Sequence, residues 1–178
     1  MKGVLYMDIN TQVSESTCNL ALLIKAKRIA YKAHEGQTDM SGMPYIEHPL
    51  VVSYRCGSID SKIVGMLHDV IEDTDVSYDD LRAEGFPEHI IEAVRCVTKE
   101  DGWDEESYFT RIKANPIARE VKINDLMHNL DEYRVVTPTR HLIEKRAKYR
   151  RELAFLQGYS DTLWEYPKVC VNLQTDVR

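Results

Sequence analysis

Apolar residues recur along this chain with a helical period, and the breaks fall where turn chemistry predicts them. Residues 16–34, STCNLALLIKAKRIAYKAH, place Leu20, Leu23, Ile24, Ala30 and Tyr31 among Lys25, Lys27, Arg28 and Lys32. That spacing predicts an amphipathic helix. Gly36, Gly42 and Pro44 predict a loop over 35–47. The segment HPLVVSYRCG follows, with Pro49 just inside its start and Gly57 just past its end, as a short helix requires. Residues 60–73 predict a third helix with Asp60 as N-cap; it is apolar on most sides and so belongs at the centre. SYDDLRAEG, 77–85, opens with a capping-box-like Ser77 and Asp80 and closes on Gly85. Further helices are predicted over 87–99, 104–115, 116–133 and 138–159, punctuated by Pro87, Pro116 and Pro138. The ends, GVLYMDI and KVCVNL, read as short strands. The expected class is all-α.

Composition narrows the function without naming it. The chain has 178 residues, 43% hydrophobic and 29% charged, which suits one globular domain with a core. Its 23 basic and 29 acidic residues give a net charge of −6, against the basic excess of a DNA or RNA binder. A small anionic ligand remains open, because a local site can oppose the global charge. Cys18, Cys56, Cys96 and Cys170 show no metal-binding spacing and are expected to be reduced thiols of a cytoplasmic protein. No apolar run reaches the ~18 residues of a membrane span.

The chemistry concentrates in MLHDVIEDT, 66–74, where His68, Asp69, Glu72 and Asp73 interrupt an apolar segment. Buried charges need compensation, and a bound cation supplies it. On a helix, residues four apart share a face. His68 then leads to Glu72 and Asp69 to Asp73, with the first of each pair reading as a metal ligand and the second lying near a bound water or substrate. His48 at a helix start and Asp125 in VKINDLMHN complete a set of two nitrogens and at least two oxygens. That set suits a six-coordinate ion such as Mn(II) or Fe(II). His34 and His128 read as structural or supporting histidines. Tyr45 adjoins the site loop, and Tyr54 reads as core. The basic run 144–152, EKRAKYRRE, reads as a solvated helix surface, with a phosphate-binding face as the alternative.

The motifs AHEGQ (33–37), GMPYIEHPL (42–50), LHDVIEDTDV (67–76), VTK (97–99) and VKINDLMHN (121–129) resemble, in order and spacing, the HD-domain hydrolases of the RelA/SpoT family. The likeness covers roughly residues 20 to 157. It implies an HD-domain helical bundle over 16–159, flanked by an N-terminal arm, 1–15, and a C-terminal tail, 160–178. It implies Mn(II) held by His48, His68, Asp69 and Asp125, with Glu72 and Asp73 positioning or activating the attacking water. It implies nucleotide contacts from Asn129, with Lys122 and Tyr45 nearby. The implied reaction is removal of the 3'-pyrophosphate of the stringent-response alarmone (p)ppGpp by a metal-activated water; synthesis of (p)ppGpp is not expected. The alternatives are an HD-type nucleotide phosphatase or phosphodiesterase, and a nucleotide-binding regulator without turnover. The chain departs from the family at Asp39 and Met40, where a basic pair is usual, and at Leu126, where a basic residue is common.

Overall fold

The computed structural model describes residues 9–100, 102–131 and 139–163. Helices dominate, and no strand occurs among these residues. The terminal segments expected as strands lie outside them, apart from Ile9. In chain order the elements are α1 (Ile9–Ala33), α2 (Glu47–Arg55), α3 (Ile59–Leu67), α4 (Val70–Asp73), α5 (Tyr78–Ala83), α6 (Glu88–Val97), α7 (Glu105–Ala114), α8 (Pro116–Asn129) and α9 (Arg140–Leu156). None of the described helices is long and apolar enough to cross a membrane.

Local chemistry accounts for most boundaries. Ser77 and Asp80 form the expected reciprocal capping box of α5. Asp104 caps α7 through the Ser107 N–H. The side chain of Asn115 accepts from Ile117 and Ala118, and Pro116 occupies the first turn of α8, where no donor is missed. Thr139 caps α9 through the Leu142 N–H. Helix α8 stops at Asn129, short of the expected 133, because Leu130 closes its last turn onto Leu126 and His128 carbonyls.

Helix α3 is the central element, packed against α1, α2, α6 and α8. Ile63, Val64, Met66 and Leu67 have no exposed surface. Gly65 lets α2 pass close by: a Cβ there would stand 3.0 Å from the Ser53 Cα.

Three expectations are corrected. Helix α1 begins at Ile9, ahead of Ser16, and buries Leu23, Ala26 and Ala30, while Leu20, Ile24 and Tyr31 are exposed. The small alanines, not the largest apolar residues, permit the approach to α3. Tyr54 is exposed rather than core. The 60–73 helix is two helices, capped by Ser58 rather than Asp60. At the break, His68 Nδ1–H donates 2.8 Å to Gly65 O, the acceptor that a continuing helix would assign to the Asp69 N–H. Asp69 turns to φ −102°, ψ −5°, and α4 restarts from it.

Candidate metal centre

Three chain segments deliver four side chains to one buried point. His48 is the second residue of α2, His68 and Asp69 form the α3–α4 break, and Asp125 lies on α8. His48 Nε2 and His68 Nε2 face each other at 3.2 Å. Asp125 Oδ1 lies 3.2 Å from His48 Nε2, and the ligand atoms of His48, His68 and Asp125 all fall within 4.8 Å of one another. Asp69 joins through Oδ2, 2.9 Å from His68 Nε2 and 3.6 Å from His48 Nε2.

The outer ring atoms explain why both Nε2 atoms point inward. His68 Nδ1 is held by the Gly65 carbonyl. His48 Nδ1 lies 2.7 Å from His128 Nδ1, and the two rings stack with centroids 5.0 Å apart. Such outer partners fix ring orientation at metal sites. Two imidazole nitrogens and two carboxylates so placed fit a divalent cation.

Electrostatics around this point are strongly biased. Burial opposes charge on His68, yet the Asp69 and Asp125 carboxylates outweigh it and hold the imidazole up at about 9. Burial likewise pushes the Asp69 carboxyl up, and His68 and His48 overcome it, holding Asp69 below the usual carboxylate range. Asp125 is held well below that range, chiefly by Lys122 and His48 acting against burial.

A cleft of about 960 Å³ opens from this point towards α9. Glu72 and Asp73 stand on its wall. They do not project along two straight rows, because the helix breaks before them. Glu72 accepts from Lys99, through the backbone N–H at 2.9 Å and Nζ at 3.1 Å. Burial, with Asp69 and Glu72 nearby, raises the Asp73 carboxyl.

The remaining predicted residues also border the cleft but are engaged with the carboxylates. Tyr45 Oη donates to Asp69 Oδ2. Asn129 Nδ2 donates to Asp125 Oδ1 at 2.6 Å. Lys122 Nζ lies 2.7 Å from Asp125 Oδ2, with only 13% of its side chain exposed. His34 is buried and bonds Gln37 Oε1 through Nδ1.

Residues 144–152 differ from a uniformly solvated surface: Lys145, Lys148 and Arg151 line the cleft, and Glu152 is buried. Asp39 accepts from the Ser41 and Met43 N–H groups at 2.8 and 3.1 Å, so its carboxylate builds its own turn. Met40 is 85% exposed, and Leu126 lies in the core. Sequence reasoning missed Lys99 as the partner of Glu72. It also did not identify His48 as the partner on which the supporting His128 stacks.

Comparison with known proteins gives a consistent direction. No family model matches the chain. It is 29% identical over 167 residues to the probable GTP pyrophosphokinase of Mycobacterium leprae, covering 83% of this chain and 20% of that protein. It is 40% identical over 83 residues to the bifunctional (p)ppGpp synthase/hydrolase SpoT of Escherichia coli K12, covering 44% of this chain and 12% of that protein. The chain thus spans about a fifth or less of the length of these relatives. A solved structure of a metazoan SpoT ortholog that hydrolyses ppGpp shares the fold, with a TM-score of 0.63 and 24% identity over 80% of this chain and 89% of that one.

Proposed function

We propose, given that this chain carries a RelA/SpoT-type HD domain, that it is a metal-dependent phosphohydrolase removing the 3'-pyrophosphate of (p)ppGpp. One observation carries the reading: His48, His68, Asp69 and Asp125 converge at the end of a cleft whose wall holds Glu72 and Asp73. In this reading those four residues hold Mn(II). A divalent ion there lowers the pKa of water and offsets charge on phosphoryl oxygens.

The protein's own groups supply the rest. Both carboxylate oxygens of Glu72 are committed to Lys99, so Glu72 is a positioning residue that fixes the wall. Asp73 has a raised carboxyl pKa and takes the proton from the attacking water. The water oxygen bonds to the phosphorus attached to the ribose O3', and the P–O3' bond breaks. The leaving O3' gains a proton, and ppGpp gives GDP and pyrophosphate. Asn129 and Tyr45 hold the Asp125 and Asp69 carboxylates in register. Lys122, buried against Asp125, balances the negative charge of the site. The free thiols of Cys18, Cys56 and Cys96 suit a reducing cytoplasm.

The test is incubation of Mn(II)-loaded protein with ppGpp, following GDP and pyrophosphate, beside a His68→Ala/Asp69→Ala variant and an Asp73→Asn variant. Turnover abolished in the first, and reduced on the order of a hundredfold or more in the second, is the expected result. Absence of turnover from protein shown to retain its metal overturns the assignment of ppGpp.

A further inference from the structure

The walls of the cleft carry unequal charge. At the metal end every cation is matched: Lys122 faces Asp125 at 2.7 Å, and Lys99 faces Glu72 at 3.1 Å. The loop that closes one side contributes Asp39 and Met40, and no cation. From α9 come Lys145, Lys148 and Arg151 at intervals of three residues, beside two acids that have their own cations, Glu144 with Arg140 at 3.0 Å and Glu152 with Lys148 at 3.7 Å. Lys148 is paired with Glu105 at 2.7 Å. Among the described residues, Lys145 and Arg151 have no carboxylate partner and no hydrogen bond. The Lys145 ammonium lies 5.6 Å from the Tyr149 ring centroid, and Arg151 is half-buried. A partly desolvated guanidinium with no anion is unfavourable by itself. An anion from the ligand relieves it, and guanidinium matches phosphate in bidentate geometry.

Lys99 Nζ lies 5.7 Å and Lys148 Nζ 5.9 Å from the Trp103 ring centroid. The metal-centre residues and α9 line the same cleft, so a nucleotide with its 3'-pyrophosphate at the metal end has α9 within that cleft. The volume of about 960 Å³ lies at the upper end of that found for small-ligand sites.

We infer that Lys145 and Arg151 of α9 form a second phosphate subsite, which takes the 5'-phosphates of the substrate. This rests on the hydrolase reading and extends it: the chain selects nucleotides phosphorylated at both ends of the ribose, and reads the distal group from α9 rather than from the 37–43 loop.

The experiment compares a Lys145→Gln/Arg151→Gln variant with the parent on two substrates, ppGpp and guanosine 3'-diphosphate, which lacks 5'-phosphates. The expected result is a KM for ppGpp raised about tenfold relative to that for the truncated substrate, the scale of one lost charge-assisted contact. Arg151→Lys, which keeps the charge, recovers part of the discrimination, which a merely structural loss would not do. Equal changes for both substrates, or none, overturn the subsite while leaving the hydrolase reading intact. Should the parent turn over neither substrate, the hydrolase reading fails, and calorimetric titration with ppGpp decides the subsite alone. Weaker binding by the double variant then supports it, and equal binding sinks it.

Discussion

Replacing Lys122 with Met tests how charge is balanced at the candidate metal centre. The ammonium lies 2.7 Å from Asp125 Oδ2, with 13% and 6% of the two side chains exposed, so solvent does little screening. Methionine keeps most of the stem and removes the charge. Asp125 then retains His48 Nε2 at 3.2 Å and the Asn129 amide at 2.6 Å. Breaking a buried pair by removing one partner costs about 3–5 kcal/mol, and these surviving contacts favour the lower end, about 3 kcal/mol. For a chain of 178 residues that corresponds to a fall in Tm of roughly 6–12 °C. A bound divalent cation supplies the missing positive charge, so the destabilisation shrinks when metal is present. Thermal and urea unfolding in EDTA, and again across a Mn(II) titration, measure both quantities. An apo protein as stable as the parent, or a loss as large with metal as without it, would refute this account.

Gly65→Ala places a methyl 3.0 Å from the Ser53 backbone, so α2 and α3 must part at a cost of about 1–3 kcal/mol; urea unfolding reads the loss, and an unchanged midpoint contradicts the close crossing. His128→Phe keeps the ring stacked on His48 but removes the 2.7 Å nitrogen contact. Metal affinity, measured by chelator competition, is expected to fall roughly 10–100-fold with little change in apo Tm. Burial pushes the Glu152 carboxyl up to about 7 from its ordinary 4.5, so between those values the folded chain holds more protons than the unfolded one, and stability falls as pH rises. Glu152→Gln removes that slope. The variant should gain on the parent by on the order of 3 kcal/mol from pH 4.5 to 7, then run parallel above it; curves parallel throughout the range exclude the assignment.

The start of α5 was legible because it is local: Ser77 and Asp80 satisfy backbone donors within three residues, and such a signal survives without knowledge of the partner helix. At α3 the same reasoning chose Asp60, two residues past the actual cap, Ser58. The inward face of α1 was not legible. Leu20 and Ile24 are more hydrophobic than Ala26 and Ala30, but the distance to α3 selects small side chains, and that distance is a tertiary property. The break at His68 was hidden for a related reason: a side-chain bond to Gly65 O competes with the backbone, and no propensity records it. The four clustered acids and histidines could be named because few residue types bind metals. Their supports, Lys99 for Glu72 and His128 for His48, come from other helices and depend on how these cross.

The turn around Asp39 limits how this cleft can be redesigned. A basic residue at 39 would add charge, but it would also delete both acceptor contacts that shape residues 39–43. The charge of this rim and the geometry of the loop are thus written into one side chain and cannot be edited separately. Met40, with its side chain in solvent on the same rim, carries no such double duty. It is the position at which a new specificity can be installed while the architecture of the loop stays as it is.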